Sequence, residues 1–223
     1  MPLTDALPLR PLTALPLFPL GTVLYPGGFL PLQIFEVRYL DMIGKCHKNG
    51  TAFGVVSLTA GTEVRRLNAE PSGEAFANEA FQSMGTLATI TDFATPQPGL
   101  MVVRCTGTQR FKISRSEKLK HGLWVADVTL LPDDLFVAIP EDLQPAADAL
   151  KKLILTLQER EVPADQMPIF TPYKFDDCGW VANRWCELLP IPVAMKQQFM
   201  ELDNPLLRLE LVNDILDRSD ISF

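Results

Sequence analysis

Prolines and glycines are unusually dense in an apolar stretch near the start of the chain, at residues 15–42, which reads LPLFPLGTVLYPGGFLPLQIFEVRYLDM. Proline fixes φ and has no backbone N–H to donate, so Pro16 and Pro19 are expected in an edge strand or an extended segment. Pro26, Gly27 and Gly28 predict a tight turn, because proline presets φ and glycine accepts the positive φ that follows. The chain is therefore expected to enter its core through a proline-marked edge strand.

The hydrophobic period changes after this turn. Residues 29–35 have the composition of a strand. Val37, Leu40 and Ile43 then recur at three-residue intervals, which predicts a short helix from Glu36 to about Cys46. The stretch as a whole predicts strand, turn, strand and helix.

Charge is distributed unevenly along the 223 residues. Residues 1–133 carry a net charge of +1, and residues 134–223 carry a net charge of −8. Pro132 and Pro140 stand beside acidic residues where the balance changes, as in a segment that joins two structural units. The sequence predicts a β-rich unit at residues 1–134 and a helical unit at residues 135–223.

Short strand-like segments fill the first unit, and helical periodicity fills the second. Glycine breaks between the strands favour a closed or half-closed barrel, and residues 59–78 are expected to form a surface loop or hairpin. The further strands are expected at residues 51–58, 84–91, 100–106, 109–114 and 123–130.

Three helices are expected after the boundary. The first has its apolar face at Ala146, Leu150, Leu153, Ile154 and Leu157, and Pro163 prevents it from extending further. The second is expected to begin with a cap at Asp176 or Asp177 and to end before Pro190. The last is expected to be capped by Asp203 or Asn204, with Pro205 in its first turn.

The composition predicts a cytoplasmic protein without a membrane segment or a cofactor. The 47% hydrophobic content is enough for a packed core, but no apolar run approaches the roughly eighteen residues of a membrane helix. The first twenty residues lack the pattern of a signal peptide. The four cysteines form no CxxC pair, so we expect buried free thiols and no structural metal.

The order of motifs resembles the amino-terminal domain of the Lon protease family. LPLFPL, a P-G-x-x-L-P-L turn and IFEVRY follow one another here as they do in that family, and similar blocks continue at residues 53–56, 85–90 and 107–111. Residues 180–190 and 196–211 resemble the helical tail of the domain. The resemblance covers residues 15–217 and implies an α+β fold: a PUA-like β-barrel followed by a C-terminal helical bundle.

The same resemblance implies recognition without catalysis. Lon proteases carry a P-loop ATPase module and a Ser-Lys protease module on later domains. The sequence here has no GxxxxGK[ST], GxSxG or HExxH motif, so we do not expect an enzyme. The resemblance implies a non-catalytic protein- or peptide-recognition domain whose ligand is an unfolded or degron-bearing polypeptide, or a partner protein.

Four residues near the turn are candidates for contact with such a ligand. Tyr25, Phe29 and Phe35 flank it, and any of them that face outward could hold an extended apolar segment. Core packing is the alternative for each aromatic ring. Arg38 could contact a partner, or it could join the start of the helix to a neighbouring strand through an ion pair.

A basic run from Arg104 to Lys120 offers a second functional hypothesis, RNA binding. It contains six cations against Glu117 alone, and some PUA-like proteins bind RNA. A solvated strand edge explains the same residues, since aromatic side chains are not interleaved with them as in a single-strand binding surface. Nucleic acid is therefore the weaker alternative. The six cations are Arg104, Arg110, Lys112, Arg115, Lys118 and Lys120.

Overall fold

Strands dominate the first part of the chain and helices the second. The computed structural model describes residues 11–61, 79–163 and 166–218. The predicted mixed α+β class is confirmed. The strands are β1 (Pro11–Leu20), β2 (Phe29–Ile34), β3 (Phe53–Ala60), β4 (Ala80–Gln97), β5 (Leu100–Lys118) and β6 (Trp124–Leu130); the helices are α1 (Val37–Asn49), α2 (Gln144–Glu159, after a 3₁₀ turn at Glu141–Leu143), α3 (Cys178–Leu188), α4 (Val193–Glu201) and α5 (Pro205–Arg218).

The six strands in the described part of the chain form one sheet in the order β2-β5-β4-β3-β1-β6. Strand β5 also pairs with β6, so five of the strands are joined in a closed ring of pairings. Strand β2 lies outside this ring and is added to the first half of β5. The only parallel pairing recorded among the described strands joins β1 to β3, and α1 lies in the connection between them.

The edge position expected for Pro16 and Pro19 is wrong. Strand β1 lies inside the sheet, between β3 and β6. Its pairing partner changes at Leu17: Pro16 is in register with β6, whereas Pro19 is in register with β3. Each proline therefore has a registered neighbour on one side only, which lets an interior strand contain residues that cannot donate.

Residues 100–118 form one strand instead of the two that were expected. The strand continues through Gly107, which does not break it. A Cβ at Gly107 would overlap the carbonyl oxygen of Tyr25, so the glycine permits a close approach of two backbones. Gly107 is therefore needed for the contact between β5 and the turn, and the local sequence does not show this contact.

The caps of α3 and α5 agree with the sequence, whereas α1 runs on to Asn49 and buries a different face from the one expected. Asp177 caps α3 by accepting from the N–H of Gly179 at 3.0 Å, and Asn204 accepts from two N–H groups in the first turn of α5. In α1 the expected buried position Val37 is exposed. The buried face of α1 is formed by Arg38, Tyr39, Met42, Ile43 and Cys46.

Three buried arginines join the helices to the strands and to the turn before β2. Arg208 of α5 and Arg110 of β5 both contact the carboxylate of Asp134, at 2.6 Å and 3.1 Å. Arg184 of α3 donates to the carbonyl oxygens of Pro26 and Gly27, in the turn before β2. The start of β2 is consequently held in a fixed position against α3.

Residues 62–78, most of the expected loop, lie outside the described residues. All four cysteines are free and buried, as expected. Among the described residues, none of the helices has the length and hydropathy needed to cross a membrane. The boundary near residue 134 stays a prediction.

Candidate functional site

Large apolar side chains are exposed at the corner where β2 leads into α1. Phe35 is 55% exposed and Val37 is 72% exposed. Phe35 lies after the last residue of β2 and before the first residue of α1, so neither the sheet interior nor the buried face of the helix covers it. Exposed apolar side chains that lie close together are typical of protein-binding surfaces.

A groove of about 210 Å³ runs beside this corner, and we call it the edge groove. Phe18 and Tyr39 are stacked at its base with ring centroids 4.0 Å apart, and both are buried. Glu36 is its one charged lining residue in the described part of the chain. The edge groove is lined by Phe18, Leu20, Pro31, Leu32, Gln33, Ile34, Phe35, Glu36 and Tyr39.

One edge of β2 carries backbone groups that the sheet does not use. Among the described residues β2 pairs with β5 alone. The N–H of Gly107 donates to the carbonyl oxygen of Gly28 at 2.8 Å, which directs the even-numbered residues of β2 toward β5. The odd-numbered residues Phe29, Pro31 and Gln33 therefore direct their backbone groups away from β5, toward what we call the outer edge of β2.

Phe29 is only partly available to a ligand. It is half-buried, and its ring centroid lies 4.2 Å from that of Phe170. It also lines a second cavity, of about 420 Å³, together with Arg104, Lys174 and Trp180. Phe29 thus lies at the end of β2 opposite Phe35, which faces the edge groove.

Tyr25 is not a surface residue, contrary to one possibility that the sequence left open. Its side chain is 0% exposed. Its hydroxyl donates to the carbonyl oxygen of Lys196 at 2.5 Å, and burial raises the pKa of this phenol. Tyr25 joins the turn to α4 and cannot contact a ligand from this position.

Arg38 has the structural role that the sequence offered as an alternative. It is buried, and its guanidinium contacts Glu79 at 2.9 Å and Glu36 at 3.1 Å. It also donates to the carbonyl oxygen of Gly122 at 2.8 Å. Burial acts to raise the pKa of Glu79, but hydrogen bonds from Arg38 and Trp124 bring it below its usual value. Arg38 fixes the start of α1, next to the exposed corner.

The structure divides the basic run between the interior and the surface. Arg110 is buried, forms an ion pair with Asp134 and donates to the carbonyl oxygen of Met200. Arg104 lies 3.8 Å from Asp92. The Lys118 ammonium lies 3.6 Å from Glu79 and over the ring of Trp124. These contacts leave a smaller basic surface than the sequence count of six suggested.

Sequence reasoning missed the edge groove because its walls come from three elements. Phe18 and Leu20 belong to β1, the central residues belong to β2, and Tyr39 belongs to α1. The available signal was the position of Phe35 between a strand pattern and a helix pattern. The lining offers apolar contact and backbone hydrogen bonds, so the arrangement suits non-covalent binding. Among the described residues, no group of His, Cys, Asp or Glu is placed to hold a metal ion.

Comparison with protein-family models gives a match that spans nearly all of the chain. Residues 14–218 match the model described as the ATP-dependent protease La (LON) substrate-binding domain. The chain belongs to this Lon substrate-binding family. The resemblance predicted from residues 15–217 is therefore confirmed.

A Lon protease among the known proteins agrees with this assignment. A Lon protease from Anaeromyxobacter dehalogenans (strain 2CP-C) is 25% identical over 211 residues, which are 92% of this chain and 23% of that protein. The chain thus spans about a quarter of the length of that relative.

Solved structures show the same fold. A Lon N-terminal domain protein from Xanthomonas campestris has a TM-score of 0.68 and 29% identity, covering 91% of this chain and 98% of its own. The N-terminal domain of a Mycobacterium avium complex Lon protease has a TM-score of 0.53 and 18% identity, covering 94% and 100%. The second likeness supports the fold alone.

Proposed function

We propose that this chain recognises unfolded or degron-bearing polypeptides without catalysing a reaction on them, and that Phe35 and the edge groove form the contact surface. Membership of the Lon substrate-binding family supports a role in substrate recognition. We choose this site because Phe35 is exposed beside an apolar groove, and two stacked aromatic rings form the base of that groove.

The physical basis of binding is burial of apolar surface. Unfolded chains expose apolar side chains that folded proteins bury, and the edge groove has one charged residue in its lining. Covering the exposed part of the Phe35 ring is expected to contribute about 1 kcal/mol. Several such contacts give weak, reversible binding, which suits a surface that takes many sequences.

We take the closed ring of strand pairings to be a PUA-like barrel and the helices after residue 135 to be a C-terminal bundle, with units at 1–134 and 135–223. The arginine contacts to Asp134 and to the turn at Pro26 support a fixed arrangement of the two units. We also place the protein in the cytoplasm, where unfolded polypeptides would be its ligands.

Fluorescence anisotropy with an unfolded polypeptide tests this function. The probe is labelled lysozyme that has been reduced and alkylated with iodoacetamide. Phe35→Ser is expected to weaken binding about fivefold, which corresponds to the loss of about 1 kcal/mol. Leu155→Ser is the matched control, because Leu155 is 47% exposed on α2 and does not line the edge groove.

Two results would contradict the proposal. One is that the wild-type protein does not bind the unfolded lysozyme at concentrations up to about 100 μM, so that its binding free energy is weaker than about −5.5 kcal/mol. The other is that Phe35→Ser and Leu155→Ser bind with the same affinity, which would place recognition elsewhere on the surface.

A further inference from the structure

We infer that the outer edge of β2 binds one extended segment of an unfolded polypeptide as an additional strand. This inference rests on the proposed function and names the form in which the ligand is held. The ligand is an apolar segment without acidic residues. Its backbone pairs with Phe29, Pro31 and Gln33, and one of its side chains occupies the edge groove.

The backbone of β2 determines the hydrogen bonds that are available. Phe29 and Gln33 direct both an N–H and a C=O toward the outer edge, whereas Pro31 directs only a C=O. The described residues provide no hydrogen-bond partner for these groups. A bound strand can therefore donate to three carbonyl oxygens and accept from two N–H groups.

The outer edge of β2 lacks most of the features that prevent strands from pairing. Edge strands are usually protected by charged side chains, proline or a bulge. Phe29–Ile34 contains no charged residue, and its pairing with β5 runs without a register shift. Pro31 is the one protective residue in the strand, and it removes a single donor. Such an edge accepts an extended peptide as other strand-adding domains do.

The charge of the lining selects the kind of segment. Glu36 lies at the α1 end of the edge groove, and Asp41 is exposed further along α1. These two carboxylates disfavour an acidic residue at that end of the ligand and favour a neutral or basic one. Since the remaining lining carries no charge, an apolar centre is the best complement.

The side chains of the ligand follow from the period of a strand. Successive residues point to opposite faces, so every second side chain of the ligand turns toward Phe18, Leu20 and Tyr39. A groove of about 210 Å³ has room for a large apolar side chain there. The five residues from Phe29 to Gln33 span about 13 Å, so a ligand of five to seven residues covers the outer edge.

Two substitutions at one position separate backbone pairing from side-chain contact. Gln33→Ala keeps the backbone N–H, and Gln33→Pro removes it. Because this N–H points away from β5, proline is expected to preserve the β2–β5 pairing and the thermal midpoint. Loss of one hydrogen bond is expected to weaken binding about tenfold in Gln33→Pro relative to Gln33→Ala.

The probes are the alkylated lysozyme and a labelled seven-residue peptide of alternating threonine and leucine with a lysine at each end. The peptide is also made with N-methyl groups on its even-numbered amides in one version and on its odd-numbered amides in another. One version is expected to lose binding to the wild-type protein, and the other is expected to keep it. This comparison needs no protein variant, so it decides the matter even if Gln33→Pro does not fold.

The outcomes test strand addition at β2 separately from the recognition of unfolded polypeptides. If the wild-type protein binds neither probe, the proposed function fails. If it binds lysozyme but Gln33→Pro and Gln33→Ala bind equally, or both methylated peptides bind equally, strand addition alone is overturned. A dimer of the wild-type protein that is absent in Gln33→Pro would also overturn it, because a second copy would then be the occupant.

Discussion

Arg184 of α3 donates to the carbonyl oxygen of Pro26 at 3.0 Å, across 158 positions of the chain. The same guanidinium donates to the carbonyl oxygen of Gly27 and contacts the carboxylate of Glu187 at 2.8 Å. These bonds connect the turn before β2 to the helices. They hold one end of the proposed binding strand at a fixed distance from α3.

Arg184→Lys is expected to destabilise the protein by about 2–4 kcal/mol, because an ammonium cannot replace a planar guanidinium that serves three acceptors in a buried site. Arg115→Lys is the control, since the Arg115 side chain is 75% exposed and its ion pair spans 3.8 Å. Urea unfolding measures both variants. Equal midpoints for the two would show that Arg184 does not fasten the turn.

Gly107→Ala is expected to destabilise the protein by roughly 2 kcal/mol or more, because the new Cβ would overlap the carbonyl oxygen of Tyr25. Gly44→Ala is the control. Gly44 lies in α1, where a Cβ would meet only the end of the Met101 side chain at 3.7 Å, and alanine is the better helix former. Thermal unfolding should separate the two substitutions, and equal shifts would contradict the close approach of β5 to the turn.

Glu187 is expected to make stability depend on pH in the weakly acidic range. Burial raises its pKa to about 7, against the attraction of Arg184 and Lys196. Because the folded state binds this proton more tightly than the unfolded chain, whose carboxyl has a pKa of 4.5, stability rises as pH falls from 7 to 4.5. The Glu187 side chain is 20% exposed and contacts Arg184 at 2.8 Å.

Glu187→Gln should remove this rise, since glutamine can still accept from Arg184 but does not titrate. Glu79 has the opposite effect, because its lowered pKa contributes stability that is lost as pH falls below about 4.5. This loss lies outside the pH range in which Glu187 titrates. Chemical unfolding at pH values from 4.5 to 7.5 provides the test, with the exposed Glu117→Gln as the control. A wild-type pH profile in Glu187→Gln would show that another group titrates.

RNA binding is expected to be absent at the surface formed by residues 104–120. Arg110 is internal, and Arg104 and Lys118 have carboxylates within 4 Å. Phosphate contacts are strongest at low salt, so the test is made there. The anisotropy of a labelled mixed-sequence RNA should stay constant up to about 50 μM protein. Binding that falls steeply as salt rises would restore the RNA hypothesis.

Tyr25 is buried and Phe35 is exposed, although both lie in the same proline-rich stretch. Local signals located the turn and the family, and they narrowed each of the caps now seen at Asp177 and Asn204 to two neighbouring residues. They did not decide which aromatic side chain faces outward, because Tyr25 is buried by a contact with Lys196, 171 positions away. Phe35 is exposed because it falls between a strand and a helix.

The interior position of β1 has a similar cause. Pro16 and Pro19 have no backbone N–H, so the sequence correctly showed that each lacks a donor. It could not show that β1 changes its pairing partner at Leu17, because that change depends on β3 and β6. The edge groove likewise combines β1, β2 and α1. Local patterns therefore predicted the elements, whereas the site depends on long-range pairing.

Strand addition at β2 predicts a change in the exchange rate of the Gln33 backbone amide. Measured by NMR with and without the threonine-leucine peptide, this amide should exchange at least tenfold more slowly when the peptide is bound, because it gains a hydrogen bond. The amide of Leu32, which is directed toward β5, should change little. An unchanged rate at Gln33 under saturating peptide would contradict strand addition at β2.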